Sequence, residues 1–286
     1  MKPVVAMGVF DGVHRGHREI LKAAVNKAKK IAGTSAVLTF WPHPQKEESL
    51  YSLEHRLRII GELGIDVCIV VNFTSHFAGT SARDFVENIL ADKIGALFVY
   101  VGNDFRFGNR ALGNLALLER SGMSYGFKAR GFNIIKINGL PISSTLIRKL
   151  IKNAKLKEAE SLLVRPVSIL GTVIKGTRLG RILGYPTANI DPHHEVIPAA
   201  GIYAVRIILG KNKFNGACYI GKRPTISSHR KVSVEVYIFN FHKNIYGKYL
   251  ELQFVKKIRS DKKFLSLAIL AEQIKKDVIA AKKILS

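Results

Sequence analysis

Two histidines, His14 and His17, flank Arg15 and Gly16 in the segment GVFDGVHRGHREIL, between an apolar run and a helical pattern. A helix N-terminus offers unpaired backbone N–H groups and the positive end of the helix dipole, which together bind phosphate. Imidazole donors at this point can stabilise the charge that develops in a displacement at phosphorus. The segment therefore predicts a phosphate-transfer site, and a pair of surface histidines beside a turn is the alternative. The turn residues expected to bind phosphate are Gly8, Phe10, Asp11 and Gly12.

Three further segments contain polar or rigid residues at predicted strand ends or helix starts: 42–44 (Pro-His-Pro), 102–108 and 142–148. The carboxyl ends of parallel strands meet in one crevice, so these segments are expected to converge. The Ser-Ser-Thr start of the third, with Arg148 one turn later, would form a second phosphate cradle. Taken singly, each has an ordinary alternative: an N-cap, a rigid loop or a surface charge.

Apolar runs alternate with helical periodicity in the first half of the chain: PVVAMGVF, SAVLTF, IDVCIVV, ALFVYVG and FNIIKI. Strands that are apolar throughout are typical of a parallel sheet covered by helices on both faces, which predicts a Rossmann-like α/β domain. A helical pattern over 144–163 ends before Pro166, which cannot continue a helix. We therefore predict two domains, residues 1–163 and 164–286.

Short strand patterns separated by Gly, Pro, Asn and Ser fill most of the second half: VSILGTVI, GIYAVRIIL, NGACYIG, KVSVEVYIF and YLELQFVKKI. This succession of short strands and turns predicts a small antiparallel β-barrel. Apolar residues at helical spacing between 264 and 278 predict one C-terminal helix packed on the barrel.

A glycine-rich segment, GTVIKGTRLGRILGYPTANI, opens this second domain. It is not a P-loop, because Thr177-Arg178 follows Gly176 where a P-loop has Lys-Ser/Thr. Glycine lets backbone N–H groups approach phosphates closely, so Gly176 and Arg181 are predicted to bind phosphate.

Thr187 and Asn189 lie two residues apart at the end of the same segment. In extended chain their side-chain oxygens would share one face, as a hard cation such as Mg²⁺ bridging nucleotide phosphates requires. A simple Pro-Thr-Ala-Asn turn is the alternative.

Glu235 shares one face of a predicted strand with Ser233 and Tyr237, and no other acid lies within ten residues of it on either side. Such a carboxylate suits a general base that takes a proton from an attacking alcohol. The strand pattern by itself equally describes a solvated glutamate, which is the commoner case.

The amino-acid composition indicates which kinds of partner and which compartment to expect. The 286 residues include 45 Lys and Arg against 21 Asp and Glu, a formal net charge of +24, which favours anionic partners. Nucleic acid is disfavoured, although not excluded, because no block of five like charges occurs. Two distant cysteines give no disulfide framework, and no apolar run approaches the roughly 18 residues of a membrane span. We expect a cytoplasmic protein without membrane partners.

The motifs together resemble a known family. H-x-G-H and I-S-S-T-x-I-R resemble the nucleotidyltransferases, most closely the FMN adenylyltransferase module of bacterial FAD synthetases. The later motifs resemble the riboflavin kinase module of the same bifunctional enzymes: G-x-V-x-x-G, G-R-x-L-G-Y-P-T-A-N, G-I-Y-A-V, I-G-K-R-P-T, V-E-V-Y-I and Y-G-K…K-I-R. The resemblance covers nearly the whole chain, with the modules in family order.

The resemblance implies ATP-dependent phosphorylation of riboflavin to FMN and adenylylation of FMN to FAD, both with Mg²⁺. In the first domain His14 and His17 would contact ATP phosphates and Asp104 would lie near the adenosine. The remaining residues implied there are Ser144, Thr145 and Arg148 for the outgoing phosphates, and His43 and Pro44 for the flavin.

In the second domain the resemblance implies that Thr187 and Asn189 bind Mg²⁺-ATP. Glu235 would activate the ribityl 5′-hydroxyl of riboflavin, and Arg259 would lie near the flavin. Trp41, Lys175 and Asn240 stand where the family more often has an acidic residue, His and Asp respectively. The alternatives are a monofunctional riboflavin kinase with an impaired adenylyltransferase domain, and a basic nucleic-acid-binding protein. A homo-oligomer is compatible with the sequence.

Overall fold

The computed structural model of the chain describes residues 2–44, 48–137, 139–176, 179–222 and 232–286. Backbone contacts divide the chain into two compact units. The first consists of Met1–Ser49 and Leu53–Ser144, and the second of Leu50–Ser52 and Thr145–Ser286.

The first unit contains a five-stranded parallel sheet in the order β3-β2-β1-β4-β5. Its strands are β1 (Pro3–Met7), β2 (Thr34–Trp41), β3 (Val67–Asn72), β4 (Phe98–Gly102) and β5 (Lys128–Phe132). A separate two-stranded ribbon pairs β6 (Lys136–Ile137) with β7 (Leu140–Pro141). The helices are α1 (Arg15–Lys30), α2 (Leu53–Glu62), α3 (Ser75–Ala78), α4 (Ala82–Asp84), which continues as a π-helix (Phe85–Lys93), and α5 (Leu115–Tyr125).

Burial explains why the central strands are recognisable from their sequence. All of β1 is buried, and β2 and β4 are buried except at their ends, so they contain no solvent-facing positions to occupy with polar residues. The predicted parallel α/β architecture is confirmed.

The predicted strand FNIIKI is wrong. The last strand of the sheet is β5, which ends at Phe132, and Ile134 beyond it is 47% exposed. Lys128 and Arg130 of β5 are exposed, so its sequence KARGF alternates polar and apolar residues and has no continuous apolar run.

The second unit contains a closed barrel with strand order β10-β11-β12-β9-β8-β13. Its strands are β8 (Ser168–Ile174), β9 (Thr187–Asp191), β10 (Gly201–Leu209), β11 (Asn212–Lys222), β12 (Val232–Ile238) and β13 (Tyr249–Arg259). All neighbouring strands are antiparallel, as predicted. The helices around it are α6 (Ser144–Lys152), α7 (Leu156–Leu163), α8 (Leu179–Ile182) and α9 (Leu267–Leu285).

Of the two helix predictions for this part of the chain, the first is wrong and the second is confirmed. The stretch 144–163 forms two helices rather than one, because Ala154 adopts a left-handed conformation (φ 56°) that ends α6. The C-terminal helix α9 packs on the barrel as predicted, through a core of Val278, Ala281 and Leu285 against Ala204 and Ala217. Within the described residues, no helix has the length and apolar character to cross a bilayer.

Candidate active sites

The H-x-G-H segment forms a tight turn between β1 and α1. Phe10 (φ 53°) and Gly12 (φ 80°) take left-handed conformations, which reverse the chain direction after the strand. His14 is the N-cap of α1, and its Nδ1 accepts a hydrogen bond from His17 N at 3.4 Å. The sequence therefore gives His14 a capping role as well as a position at the helix N-terminus, where phosphate binds.

The two imidazoles form a buried pair. Their rings are stacked with centroids 3.6 Å apart, and the Phe10 ring meets His17 edge-on at 5.3 Å. Burial lowers the pKa of His14 to about 4 and that of His17 well below its ordinary value, which nearby His14 and Arg56 lower further. His17 Nδ1 is buried without a hydrogen-bond partner. Both rings are thus neutral at pH 7, and each keeps one N–H that can donate to a ligand.

Titration of His14 tests this burial. In the folded protein its Cε1 proton signal is expected to titrate with a midpoint near pH 4, compared with an ordinary value of 6.5. Between these values the unfolded chain binds more protons, so the free energy of unfolding should fall as pH is lowered from 6.5 towards 4. His14→Asn, which keeps an N-cap side chain, should remove part of that fall. An NMR midpoint near 6.5 would show that the ring is exposed.

The other predicted residues of the first unit lie at the same edge of its sheet. His43 and Pro44 follow β2 and Asp104 follows β4, and these strands flank β1 on either side. His43 is buried and Asp104 is exposed. Ser144 Oγ donates to the backbone carbonyl of Asp11 at 2.8 Å, which ties the start of α6 to the histidine turn. These strand ends lie at one edge of the sheet, and a binding site shared by these residues stays a prediction.

Thr145 and Arg148 belong to the second unit, in the continuation of α6. Arg148 Nη1 donates to Thr145 Oγ1 at 3.3 Å, one turn apart on the helix. Gly8 closes the other end of the histidine turn, where its N–H donates to Leu38 O at 3.1 Å.

Sequence reasoning missed Arg56, a fully buried arginine of α2 behind the histidine turn. Its guanidinium donates to two backbone carbonyls, and the Trp41 ring lies 5.6 Å from it. A signal existed: Arg56 precedes the buried Ile59 and Ile60 by three and four residues, so it occupies the apolar face of its helix.

In the second unit Glu235 lies in the middle of β12, half-buried, with hydroxyl groups on both sides. Ser233 Oγ donates to its Oε1 at 3.0 Å, and Thr187 Oγ1 donates to its Oε2 at 3.4 Å. Asn189 is the cross-strand partner of Glu235. Thr187 and Asn189 therefore lie on a strand, β9, and share a face with the carboxylate; the turn alternative is wrong.

Gly176 lies against this group. A Cβ atom at Gly176 would stand 2.0 Å from Asn189 Nδ2, so only glycine allows the approach of the two segments. Thr177 and Arg178 lie outside the described residues, as do residues 223–231, which include part of the I-G-K-R-P-T motif.

A cavity of about 410 Å³ opens beside Thr187. The residues that line it include Arg181, which is exposed, and six residues of the loop that follows β12. The loop residues are Phe241, His242, Lys243, Asn244, Ile245 and Tyr246. Two cations beside apolar side chains suit an anionic ligand with a flat apolar part. Sequence reasoning missed this loop, because its apolar residues do not recur at the spacing of a strand or a helix.

Arg259 is held by a carboxylate of the C-terminal helix. Its Nε and Nη2 donate to Asp277 at 2.9 and 2.7 Å, and Gln273 Nε2 also donates to Asp277 at 2.9 Å. Asp277 is buried, so the pair anchors α9 to the end of β13. The guanidinium thus has an internal anion as its partner at the position predicted to lie near the flavin.

Breaking this ion pair is expected to destabilise the second unit. Asp277→Asn keeps the side-chain shape but leaves the Arg259 cation without its counter-charge, and losing one partner of a buried pair costs about 3 kcal/mol. Urea unfolding should show that loss. Glu62→Gln, which breaks the exposed Arg58–Glu62 pair, is the control and should change stability by less than about 0.5 kcal/mol. Equal effects of the two changes would contradict a structural role for Asp277.

The predicted metal ligands, Thr187 and Asn189, are oxygen donors. The described part of the chain has no cluster of three or more His, Cys, Asp or Glu side chains able to hold a metal ion. The Thr187 hydroxyl and the Asn189 amide carbonyl beside Glu235 are the hard donors that Mg²⁺ prefers. These residues fit an ion whose remaining ligands come from a nucleotide.

Two family models match separate parts of the chain. The family model described as FAD synthetase matches residues 1–146, and the one described as riboflavin kinase matches residues 163–285. A bifunctional riboflavin kinase/FMN adenylyltransferase from Escherichia coli (strain K12) is 36% identical over 98% of this chain and 92% of the relative. Its counterpart from Haemophilus influenzae is 38% identical over 97% of this chain and 92% of the relative.

A solved structure described as a macrolide-efflux protein from Streptococcus pneumoniae is also similar, with a TM-score of 0.82 and 29% identity. It covers 96% of this chain, and 92% of its own length is matched. Its name differs from those of the curated relatives, whose identity to this chain is higher. The motifs, the two folds and the full-length relatives agree, and the chain belongs to the family of bifunctional riboflavin kinase/FMN adenylyltransferases of FAD biosynthesis.

Proposed function

We propose that the two reactions of this enzyme occur at separate sites, with FMN adenylylation in residues 1–163 and riboflavin phosphorylation in residues 164–286. The supporting observation is that the histidine pair lies in the first compact unit and the Glu235 carboxylate lies in the second. One unit has a buried neutral imidazole pair at a helix N-terminus, and the other has a hydroxyl-bound carboxylate beside oxygen donors.

For adenylyl transfer, an oxygen of the FMN phosphate attacks the α-phosphorus of ATP, and the bond to the β-phosphate oxygen breaks to release pyrophosphate. No protein nucleophile is needed. His14, His17 and the N–H groups of the turn stabilise the developing charge by donating hydrogen bonds, since each neutral imidazole keeps one N–H donor. Ser144, Thr145 and Arg148 hold the leaving pyrophosphate, and Gly8, Phe10, Asp11 and Gly12 shape the turn that receives the nucleotide.

For the kinase step, the ribityl 5′-hydroxyl of riboflavin attacks the γ-phosphorus of ATP and ADP leaves. Glu235 accepts the hydroxyl proton. Ser233 and Thr187 each donate to a different oxygen of the carboxylate, which fixes its plane and direction. The cavity lined by Arg181 and the 241–246 loop holds the nucleotide, and Gly176 brings backbone N–H groups near its phosphates.

Thr187 and Asn189 hold Mg²⁺ together with ATP. When bound, the ion neutralises charge on the transferring phosphate.

Asp104 contacts the adenosine and the His43-Pro44 loop contacts the flavin in the first domain. Arg259, fixed by Asp277, borders the flavin in the second. ATP donates its γ-phosphoryl group in the kinase step and its adenylyl group in the second step. We place the enzyme in the cytoplasm with small molecules as its partners.

A chromatographic time course tests this function. Purified protein with riboflavin, ATP and Mg²⁺ should form FMN first and FAD after it, and FMN with ATP should yield FAD directly. FMN accumulation without FAD would indicate a monofunctional kinase. Formation of neither product would overturn the proposed function.

A further inference from the structure

Arg56 is a buried cation that connects two strand ends of the first unit. Its side chain is 0% exposed. Nη1 donates to Val9 O at 2.7 Å, and Nη2 donates to Phe40 O at 3.0 Å. Val9 lies between β1 and the histidine turn, and Phe40 lies two residues before Pro42, where the Pro-His-Pro loop begins. The guanidinium therefore bridges the exits of two neighbouring strands, each leading into a loop of the adenylyl-transfer site.

The same junction has a second link. Thr39 Oγ1 donates to Val9 O at 2.9 Å, so that carbonyl accepts from two side chains on different elements. The planar guanidinium is suited to this geometry because its fixed N–H groups can reach two acceptors at once. A lysine ammonium has no such fixed fork.

Burying the charged guanidinium of Arg56 at this position costs folding free energy. Burial disfavours its charged form and lowers its pKa, and the nearby Asp11 carboxylate opposes that shift. The Trp41 ring, 5.6 Å from the guanidinium, offers a further π contact at the position where the family more often has an acidic residue. An apolar side chain would fill the same volume without desolvating a charge, so packing alone does not account for an arginine.

We propose that Arg56 is a positioning residue for FMN adenylylation, which fixes the H-x-G-H turn relative to the Pro-His-Pro loop by bridging the Val9 and Phe40 carbonyls. The inference rests on the proposed assignment of adenylyl transfer to this turn. Arg56 lies behind the turn and acts through the backbone. Its loss should therefore reduce the stabilisation of the transition state more than the binding of ATP.

The test uses Arg56→Met and Arg56→Lys in the full-length enzyme, with kcat and KM measured for FAD formation from FMN and ATP. Methionine fills most of the volume but donates no hydrogen bond, and we expect kcat to fall about 100-fold, the effect of roughly 1 Å of misplacement. The KM for ATP should change by less than about threefold. Lysine can bond one carbonyl and should recover part of the loss, leaving kcat about tenfold below that of the unaltered enzyme.

Arg58→Met is the matched control. Arg58 lies two residues further along α2, on an exposed face, where it pairs with Glu62. This change should leave kcat for FAD formation unaltered. Riboflavin phosphorylation by each variant, measured on the same preparation, should also be unaltered and reports the concentration of intact barrel.

Folding of the first unit is followed by thermal unfolding of each variant. If the folded Arg56→Met enzyme keeps its kcat, Arg56 is only structural and the inference is wrong. If Arg56→Met does not fold, Arg56→Lys decides: reduced kcat with unchanged KM supports the inference, and unchanged kcat overturns it. His17→Ala separates the two claims. Intact FAD formation in His17→Ala would refute the proposed site itself, whereas its loss beside a fully active Arg56→Met would refute only the role of Arg56.

Discussion

Replacement of Glu235 by glutamine is expected to lower the kcat of riboflavin phosphorylation by about 1000-fold, within the range for removal of a general base. Glutamine has the same size, its amide oxygen can accept from one of the hydroxyls of Ser233 and Thr187, and its amide N–H can donate to the other, so the barrel should fold normally. It cannot accept the proton of the attacking 5′-hydroxyl. The measurement is the initial rate of FMN formation from riboflavin, ATP and Mg²⁺, followed by chromatography.

The same variant supplied with FMN should form FAD at the rate of the unaltered enzyme. Glu272→Gln, on the exposed face of α9, is the matched control and should leave both rates unchanged. If Glu235→Gln keeps its kinase rate, Glu235 is a structural partner of Ser233 and Thr187 and not the general base. Loss of both reactions together would show that the change disrupts the whole protein.

His17→Ala is expected to lower FAD formation from FMN by about 100- to 1000-fold, the effect of removing one donor to a developing charge. The reason is geometric: His17 lies in the first turn of α1 and stacks on His14, so its donor acts at the helix N-terminus. With riboflavin as substrate, FMN should accumulate, because the carboxylate site of the barrel is untouched.

His76→Ala is the control for this change, because His76 is an exposed histidine of the same unit. It should leave both reactions unchanged. Circular dichroism of His17→Ala separates a loss of chemistry from a loss of fold. If His17→Ala slows both reactions equally, the assignment of the two reactions to separate sites is wrong.

The Glu235 and His17 variants together exclude the monofunctional alternative if each loses a different reaction. Complementary loss requires that both sites are active in the unaltered chain. Mixing the two variants should then restore FAD formation from riboflavin, because FMN released by one can be used by the other.

Local sequence patterns were sufficient to predict those elements of this protein that have a regular hydrophobic period or a recognisable motif. The buried strands β1, β2 and β4 are mostly apolar and contain no charged residue, and the barrel strand β12 alternates with a period of two. The H-x-G-H segment, followed by a helical pattern, predicted a turn at a helix N-terminus. These features depend on neighbours within about ten residues, so the chain specifies them without knowledge of the fold.

Only the tertiary structure revealed the features that join distant segments. Arg56 reaches Val9, which precedes it by 47 residues, and Arg259 meets Asp277 across 18 residues. The strand β5 was missed because its exposed positions, Lys128 and Arg130, are polar and interrupt the apolar run. These contacts depend on strand order and on which helix face is buried. Periodicity reports that a residue faces the interior, but it cannot report which carbonyl or carboxylate meets it there.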